Sequence, residues 1–216
     1  MTKARYKQTR EWEVACLNTR RNLESRKKRL DRFRISPNSK VLDLGCADGL
    51  NTSILLERGV RKIVGIDISR DLIKLARKNN PQARFYIGSA EALPFRAKQF
   101  DIVLVDSVFH HLLKYDKPIK EIKRVLVKGG KLCFIEPDDS LPRRLMDFLC
   151  TYEISKYLPI LNKRRKTYLE EKDLMNHWLR TQGQFLDILK EYGFVKLFLR
   201  KDFLSIIGKY KIREYT

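Results

Sequence analysis

No apolar run in these 216 residues approaches the roughly 18 that a membrane-crossing helix needs. Met1 is followed by Thr2-Lys3-Ala4-Arg5-Tyr6-Lys7 with no apolar stretch behind it, so no secretory signal is expected. Cysteine is sparse. Cys16, Cys46, Cys133 and Cys150 form no C-x-x-C pair and lack zinc-ligand spacing, so no metal site is expected. They read as reduced, small apolar residues of a cytoplasmic protein. Internal repeats and low-complexity segments are absent. Acid is short relative to base: 26 Asp and Glu face 46 Lys and Arg, a net charge of +20.

That charge is uneven. Residues 1–37 hold 12 basic and 4 acidic residues, a net of +8, whereas residues 38–137 net +7 over a far longer stretch. A polyanion contact, RNA first, is one reading of the basic arm; a solvated basic surface is the other. Residues 8–34 have helical spacing, with Trp12, Cys16, Thr19, Leu23, Leu30 and Phe33 on one stripe. The domain division expected is an arm at 1–37 and a main domain at 38–216.

A regular alternation follows. Short apolar runs at Lys40–Leu44, Lys62–Asp67, Ala83–Ile87, Phe100–Val105 and Lys131–Ile135 read as strands. Between them Asn51–Arg58, Arg70–Asn79 and Lys117–Val125 read as helices, with Gly59 a C-terminal cap and Ser69 an N-cap. Strands apolar almost throughout, alternating with amphipathic helices, predict an α/β doubly wound, Rossmann-like sheet covered on both faces. Residues 139–182 read as a helical insertion, with helices at Leu141–Lys156 and Glu170–Thr181, a break at Pro159 and a basic turn at Lys163–Lys166. Its Leu141, Leu145, Met146, Phe148, Leu149 and Tyr152 could form an apolar lid. A helix at Gln184–Glu191 and two strands, Lys196–Arg200 and Leu204–Gly208, then complete the sheet, the last strand antiparallel.

In such a sheet ligands bind beyond the carboxyl ends of the strands. Asp43, Asp67, Gly88-Ser89 and Asp106 all fall at strand ends. The stretch Val41-Leu42-Asp43-Leu44-Gly45-Cys46-Ala47-Asp48-Gly49 joins a strand to a helix through a glycine turn. Its Gly-x-x-x-Gly spacing differs from the Gly-x-Gly-x-x-Gly of dinucleotide sites. Asp43 and Asp48 beside a pyrophosphate would repel it, whereas an ammonium group would be welcome. Asp67, at the end of the second strand, suits a pair of ribose hydroxyls. Adenosine with a cation and no phosphate describes S-adenosylmethionine.

The ordered motifs resemble those of the class I S-adenosylmethionine-dependent methyltransferases, in the group that includes ubiquinone- and menaquinone-biosynthesis-type enzymes. The likeness is carried by Val41–Gly49, by Val64-Gly65-Ile66-Asp67-Ile68-Ser69, by Gly88–Phe95, by Phe100–Leu112 and by Arg124–Leu132. It covers residues 39–137 closely. It implies that Asp43 and the loop Gly45-Cys46-Ala47-Asp48-Gly49 hold the methionine end, and that Asp67 holds the ribose. Ile68 would pack on the adenine, with Ser89, Ala90 and Glu91 at its edge and Asp106 near the methionine end. Two positions depart from the family pattern: Ala47 replaces a glycine, and Ser89 an aspartate.

His110 and His111, after the fourth strand, are the candidates for a general base; Tyr86, Glu136 and Asp138 are weaker ones. The function expected is methyl transfer to a small-molecule acceptor, leaving S-adenosylhomocysteine. RNA or a ribosomal component is the alternative acceptor. A catalytically silent module that binds S-adenosylmethionine or RNA is a third reading, and a nucleotide-dependent dehydrogenase a distant fourth.

Overall fold

A computed structural model describes residues 23–141, 144–145, 148–149, 159–202 and 204–213, with the backbone alone at 159–168 and 170. The first part of the expected N-terminal helix, with Trp12, Cys16 and Thr19, lies outside the described residues, as do most of the expected Leu141–Lys156 helix and Met146, Cys150 and Tyr152.

The strands are β1 (Lys40–Leu44), β2 (Lys62–Asp67), β3 (Arg84–Ile87), β4 (Phe100–Asp106), β5 (Leu126–Pro137), β6 (Phe194–Lys201) and β7 (Ser205–Ile212). They form one seven-stranded sheet in the order β3-β2-β1-β4-β5-β7-β6. The pairs among β1 to β5 are parallel, and β7 runs antiparallel to both β5 and β6. The Rossmann-like sheet with an antiparallel final strand is as the alternation predicts. β5 is longer than Lys131–Ile135, because Gly129 and Gly130 lie within the strand.

The helices are α1 (Leu23–Asp31), α2 (Leu50–Glu57), α3 (Arg70–Asn79), α4 (Asp116–Val125) and α5 (Pro159–Glu191). The period-2 alternation of each strand sends residues to opposite faces. Leu42, Leu44, Val103, Val105, Leu132 and Phe134 pack under α4 and α5. Val41, Ile102, Leu104, Cys133 and Ile135 pack under α1 and α2, with Leu30 and Phe33 from the α1 side. Two predicted caps are present. Ser69 Oγ accepts the Leu72 N–H at 3.1 Å. Gly59 takes φ +85° while Val60 N–H closes back on Leu55 O.

The largest departure from expectation is α5. The sequence reads as a helix to Thr181, a second from Gln184, and a turn at Lys163–Lys166; the structure has one 33-residue helix from Pro159 to Glu191. Pro159 is its first residue, where the missing N–H costs nothing. A glycine inside a helix costs about 1 kcal/mol, and Gly183 is carried because its neighbours are anchored on both sides. Met175 and Trp178 before it, and Phe185 and Leu189 after it, belong to one core. Trp178 Nε1 donates to Pro137 O at 2.7 Å, and Tyr115 Oη meets Thr181 Oγ1 at 2.6 Å. The helix is thereby pinned over the carboxyl end of β5.

Candidate active site

Beyond the carboxyl ends of β1, β2 and β4 lies a crevice of about 410 Å³, within the range of small-ligand sites. The turn after β1 forms one wall. Gly45 and Gly49 have φ of +73° and +82°, and Ala47 joins them in the left-handed region at +47°. A Cβ at Gly45 would sit 2.1 Å from Val108 Cγ2, so only glycine allows the two loops to meet. The turn is held from β2: Asp67 Oδ2 accepts the Ala47 N–H and Oδ1 accepts the Ser69 N–H, both at 2.9 Å. A carboxylate has about four acceptor positions, so Asp67 can still take hydroxyl donors from the crevice it lines. Burial raises the Asp67 carboxyl above its ordinary range, opposed by those backbone N–H groups.

Most of the residues expected at the site are brought together. Gly45, Cys46, Ala47, Asp48, Asp67, Ile68, Ser89, Ala90, Asp106, His110 and His111 all line the crevice. Ile68 is 54 % exposed, an unusual state for a large apolar side chain at a strand end, and it offers a flat ring an apolar seat. Ser89 Oγ accepts the Glu91 N–H at 3.2 Å, shaping the loop at that edge.

Asp43, Gly49 and Glu91 are not part of the lining. Asp43 is fully buried behind the turn, where Oδ2 accepts from Thr52 Oγ1 at 2.7 Å and Oδ1 meets no donor among the described residues. Burial pushes its carboxyl up to about 7, against the pull of Thr52. Gly49 acts through backbone geometry at the start of α2, with its carbonyl taken by Ser53 Oγ and Asn80 Nδ2. Cys46 is buried in the same turn, and burial holds its thiol well above the ordinary range.

The residue that sequence reasoning missed is Arg26. It reaches from α1 across the top of the sheet into the crevice lining. Its Nη1 lies 2.9 Å from Asp106 Oδ2 and 3.1 Å from Asn51 Oδ1. Asn51 Nδ2 and Ser107 Oγ also donate to Asp106, at 3.3 and 3.1 Å. Arg26 sits in the run Arg26-Lys27-Lys28-Arg29, whose helical spacing points its members in four directions. Only one of them reaches the site.

At the far end of the crevice the turn Phe109–His111 hangs on Glu136 at the close of β5. Glu136 is 1 % exposed, and its carboxylate accepts the N–H groups of Val108, Phe109 and His110 at 2.8, 2.7 and 3.3 Å. The same Oε2 meets His110 Nδ1 at 2.7 Å. Burial pushes Glu136 up to about 8, while the three N–H donors pull it down. In either state Nδ1 is committed to Glu136, so Nε2 is the nitrogen able to exchange a proton elsewhere. The His111 ring lies 3.9 Å from that of His110 between centroids. Burial and the neighbouring His110 depress its pKa well below the ordinary value. Leu112, Pro137, Glu171 and Met175 complete this end. Asp138, at the end of β5, instead pairs with Lys201 at 2.9 Å.

The donor set suits a charged nucleoside without phosphate. Asp48 and Asp106 supply negative charge for an ammonium, Arg26 a partner for a carboxylate, Asp67 acceptors for hydroxyls, and Ile68 an apolar seat. Among the described residues Arg26 is the one Lys or Arg in the lining, beside three Asp and a Glu, which is a poor match to the charge of a pyrophosphate.

Residues 42–134 match the family model described as a methyltransferase domain. An uncharacterized methyltransferase of Synechocystis sp. is 36 % identical over 109 residues, 50 % of this chain and 51 % of that protein. The demethylmenaquinone methyltransferase of Thermotoga maritima is 26 % identical over 176 residues, 78 % of this chain and 75 % of that one. The first five curated relatives are matched over only 34 to 51 % of their own length. Among solved structures, the PH0226 protein of Pyrococcus horikoshii OT3 superposes with a TM-score of 0.64 at 25 % identity, covering 88 % of this chain and 91 % of that one. Residues 42–134 are thus similar to a methyltransferase domain, and the chain shares the fold of solved S-adenosylmethionine-dependent methyltransferases.

Proposed function

We propose that the chain is a methyltransferase that binds S-adenosylmethionine in this crevice and methylates a small, largely apolar molecule. The observation that carries the reading is the donor set at the carboxyl ends of β1, β2 and β4, in a crevice that continues past His110. S-adenosylmethionine, when bound, supplies a methyl group on a sulfonium leaving group. Asp67 takes the ribose hydroxyls, Ile68 and Ser89-Ala90 the adenine, and Asp48, Asp106 and Arg26 the charged methionine end. Asp43 braces the turn from behind through Thr52, and Gly49 shapes it; Glu91 closes the loop at Ser89.

The acceptor lies between the cofactor and Leu112, Pro137 and Met175, and α5 excludes water from that end. His110 Nε2, with Nδ1 held by Glu136, removes a proton from an acceptor that needs it. His111 packs against that ring. The exposed Leu141, Leu145 and Phe148 support a cap drawn from residues 139–182 over the rest of the domain at 38–216, with 1–37 as the basic arm. The name of the Thermotoga maritima relative supports a small-molecule acceptor. No helix among the described residues is long and apolar enough to cross a membrane, and a cytoplasmic location fits the buried, unpaired Cys46 and Cys133.

The net charge of +20 favours RNA as the second reading of the acceptor. Incubation with methyl-labelled S-adenosylmethionine and separate small-molecule, RNA and protein extracts tests both. Label in an apolar small-molecule fraction, lost in His110→Ala, is the expected result. Label in RNA alone would transfer the proposal to the second reading, and binding without transfer to any pool would sink both.

A further inference from the structure

The amino ends of β1, β2 and β3 lie a strand length, roughly 15 Å, from the crevice at the opposite edge of the sheet. A second cavity of about 350 Å³ opens there, with Lys40, Arg61, Lys62, Arg84, Gln82 and Gln99 in its lining. Every charged side chain of that lining is a cation. Lys40 and Lys62 are register partners on adjacent parallel strands, and Arg84 opens β3 beside Val64 of β2.

All four cations are exposed, and none forms an ion pair with a described residue. Elsewhere cations do find acids: Lys27 pairs with Glu57, Arg58 with Asp31, Arg124 with Glu121 and Lys201 with Asp138. The acid at this edge, Asp101, directs Oδ2 to the Lys40 backbone N–H at 2.7 Å. Like charges opposed on neighbouring strands are destabilising. This edge therefore holds a repulsion that a bound anion would remove.

The form of the anion follows from charge density. A nucleic-acid strand carries one negative charge per ~3.4 Å of rise, so a bounded cavity meets few of its phosphates. Contiguous phosphates concentrate about three or four charges in the same space, matching four cations within one small opening. The two amides can donate to the remaining oxygens.

We propose that the amino edge of the sheet is a binding site for a ligand with contiguous phosphate groups, held by Lys40, Arg61, Lys62 and Arg84. The site is separate from the methyl-transfer crevice and does not depend on that reading. Its occupancy stabilises the fold by relieving the Lys40–Lys62 repulsion.

Calorimetry and thermal melting of the full chain test this with inorganic tripolyphosphate, ATP, orthophosphate and a short single-stranded RNA. Tripolyphosphate should bind one per chain and raise the melting temperature, with orthophosphate far weaker. Arg61→Gln/Arg84→Gln should weaken that binding by about tenfold or more, because charge-assisted hydrogen bonds are lost. Lys114→Gln/Lys172→Gln, changing exposed lysines beyond the other end of the sheet, should leave it unchanged. Unaltered circular dichroism in both variants excludes a folding defect. ATP binding tighter than tripolyphosphate would identify a nucleoside polyphosphate as the source, and equal affinity the inorganic chain; both support the site. Tripolyphosphate binding no tighter than orthophosphate, or weakened equally in both variants, would overturn the proposal. So would RNA binding that is tighter than tripolyphosphate and lost in Arg61→Gln/Arg84→Gln, which would make this edge an RNA groove.

Discussion

At the scale of single residues, the turn between β1 and α2 is where the local rules are under most tension. Ala47 occupies the left-handed region at φ +47°, a conformation that costs an L-residue about 1–2 kcal/mol. Its N–H bond to Asp67 holds it there. Ala47→Gly removes the strain but adds freedom to the unfolded chain, so a net gain of ~0.5 kcal/mol is expected in chemical denaturation. A loss of stability would mean that the Ala47 methyl packs favourably enough to outweigh the strain. Asp43 makes a different prediction. Burial raises its carboxyl from an ordinary 3.8 to about 7. The folded state therefore keeps the proton after the unfolded state has lost it, and stability falls by ~1.4 kcal/mol per pH unit across that window. Asp43→Asn has no such proton, and its nitrogen or oxygen can still meet Thr52. Its stability relative to the parent should rise from pH 4 to pH 7 and level off above. Parallel pH profiles would show that Asp43 is ionised without penalty.

At the scale of elements, α1 and α5 decide what the crevice becomes. The α1 helix carries Arg26, 14 % exposed at the side chain, to Asp106, 2 % exposed. Removing one partner of such a pair strands the other, at about 3 kcal/mol. Arg26→Met should therefore be strongly destabilising, Asp106→Asn less so, and the double variant should recover part of the loss. Additive losses in a double-mutant cycle would show that the two side chains act independently. The β-strand ends, the glycine turn and the Ser69 cap were legible in the sequence because each is a local matter of a few neighbouring residues. Arg26 was not: four basic residues in a row are equivalent until α1 is docked through Leu30 and Phe33. Nor was the unbroken α5, because Gly183 and the basic run Lys163–Lys166 are helix-compatible once Trp178 and Phe185 fix the register. Glu136 reads in the sequence only as a weaker candidate for a general base. Its role depends on the turn at Val108–His110 folding back onto it, a contact 26 to 28 residues apart.

At the scale of the whole molecule, the two edges of the sheet differ in charge. Acids gather at the carboxyl end, where Asp48, Asp67 and Asp106 line the crevice; cations gather at the amino end, where Lys40, Arg61, Lys62 and Arg84 line the second cavity. Strand order explains the first edge. With β1 central and β4 beside it, the chain reverses direction across the sheet at that point, opening a crevice at the switch between β1 and β4. Among the described residues the excess of base over acid therefore does not spread evenly, and acids outnumber Lys and Arg in the crevice lining. The central claim is that this crevice takes S-adenosylmethionine with Asp67 on the ribose. It is tested most directly by calorimetric titration of S-adenosylhomocysteine, the uncharged-sulfur product, into the parent chain and Asp67→Ala. One molecule should bind per parent chain, and the variant should bind more weakly by ~1–3 kcal/mol through lost charged hydrogen bonds. Equal affinity in the two proteins, or binding of NAD without binding of S-adenosylhomocysteine, would contradict it.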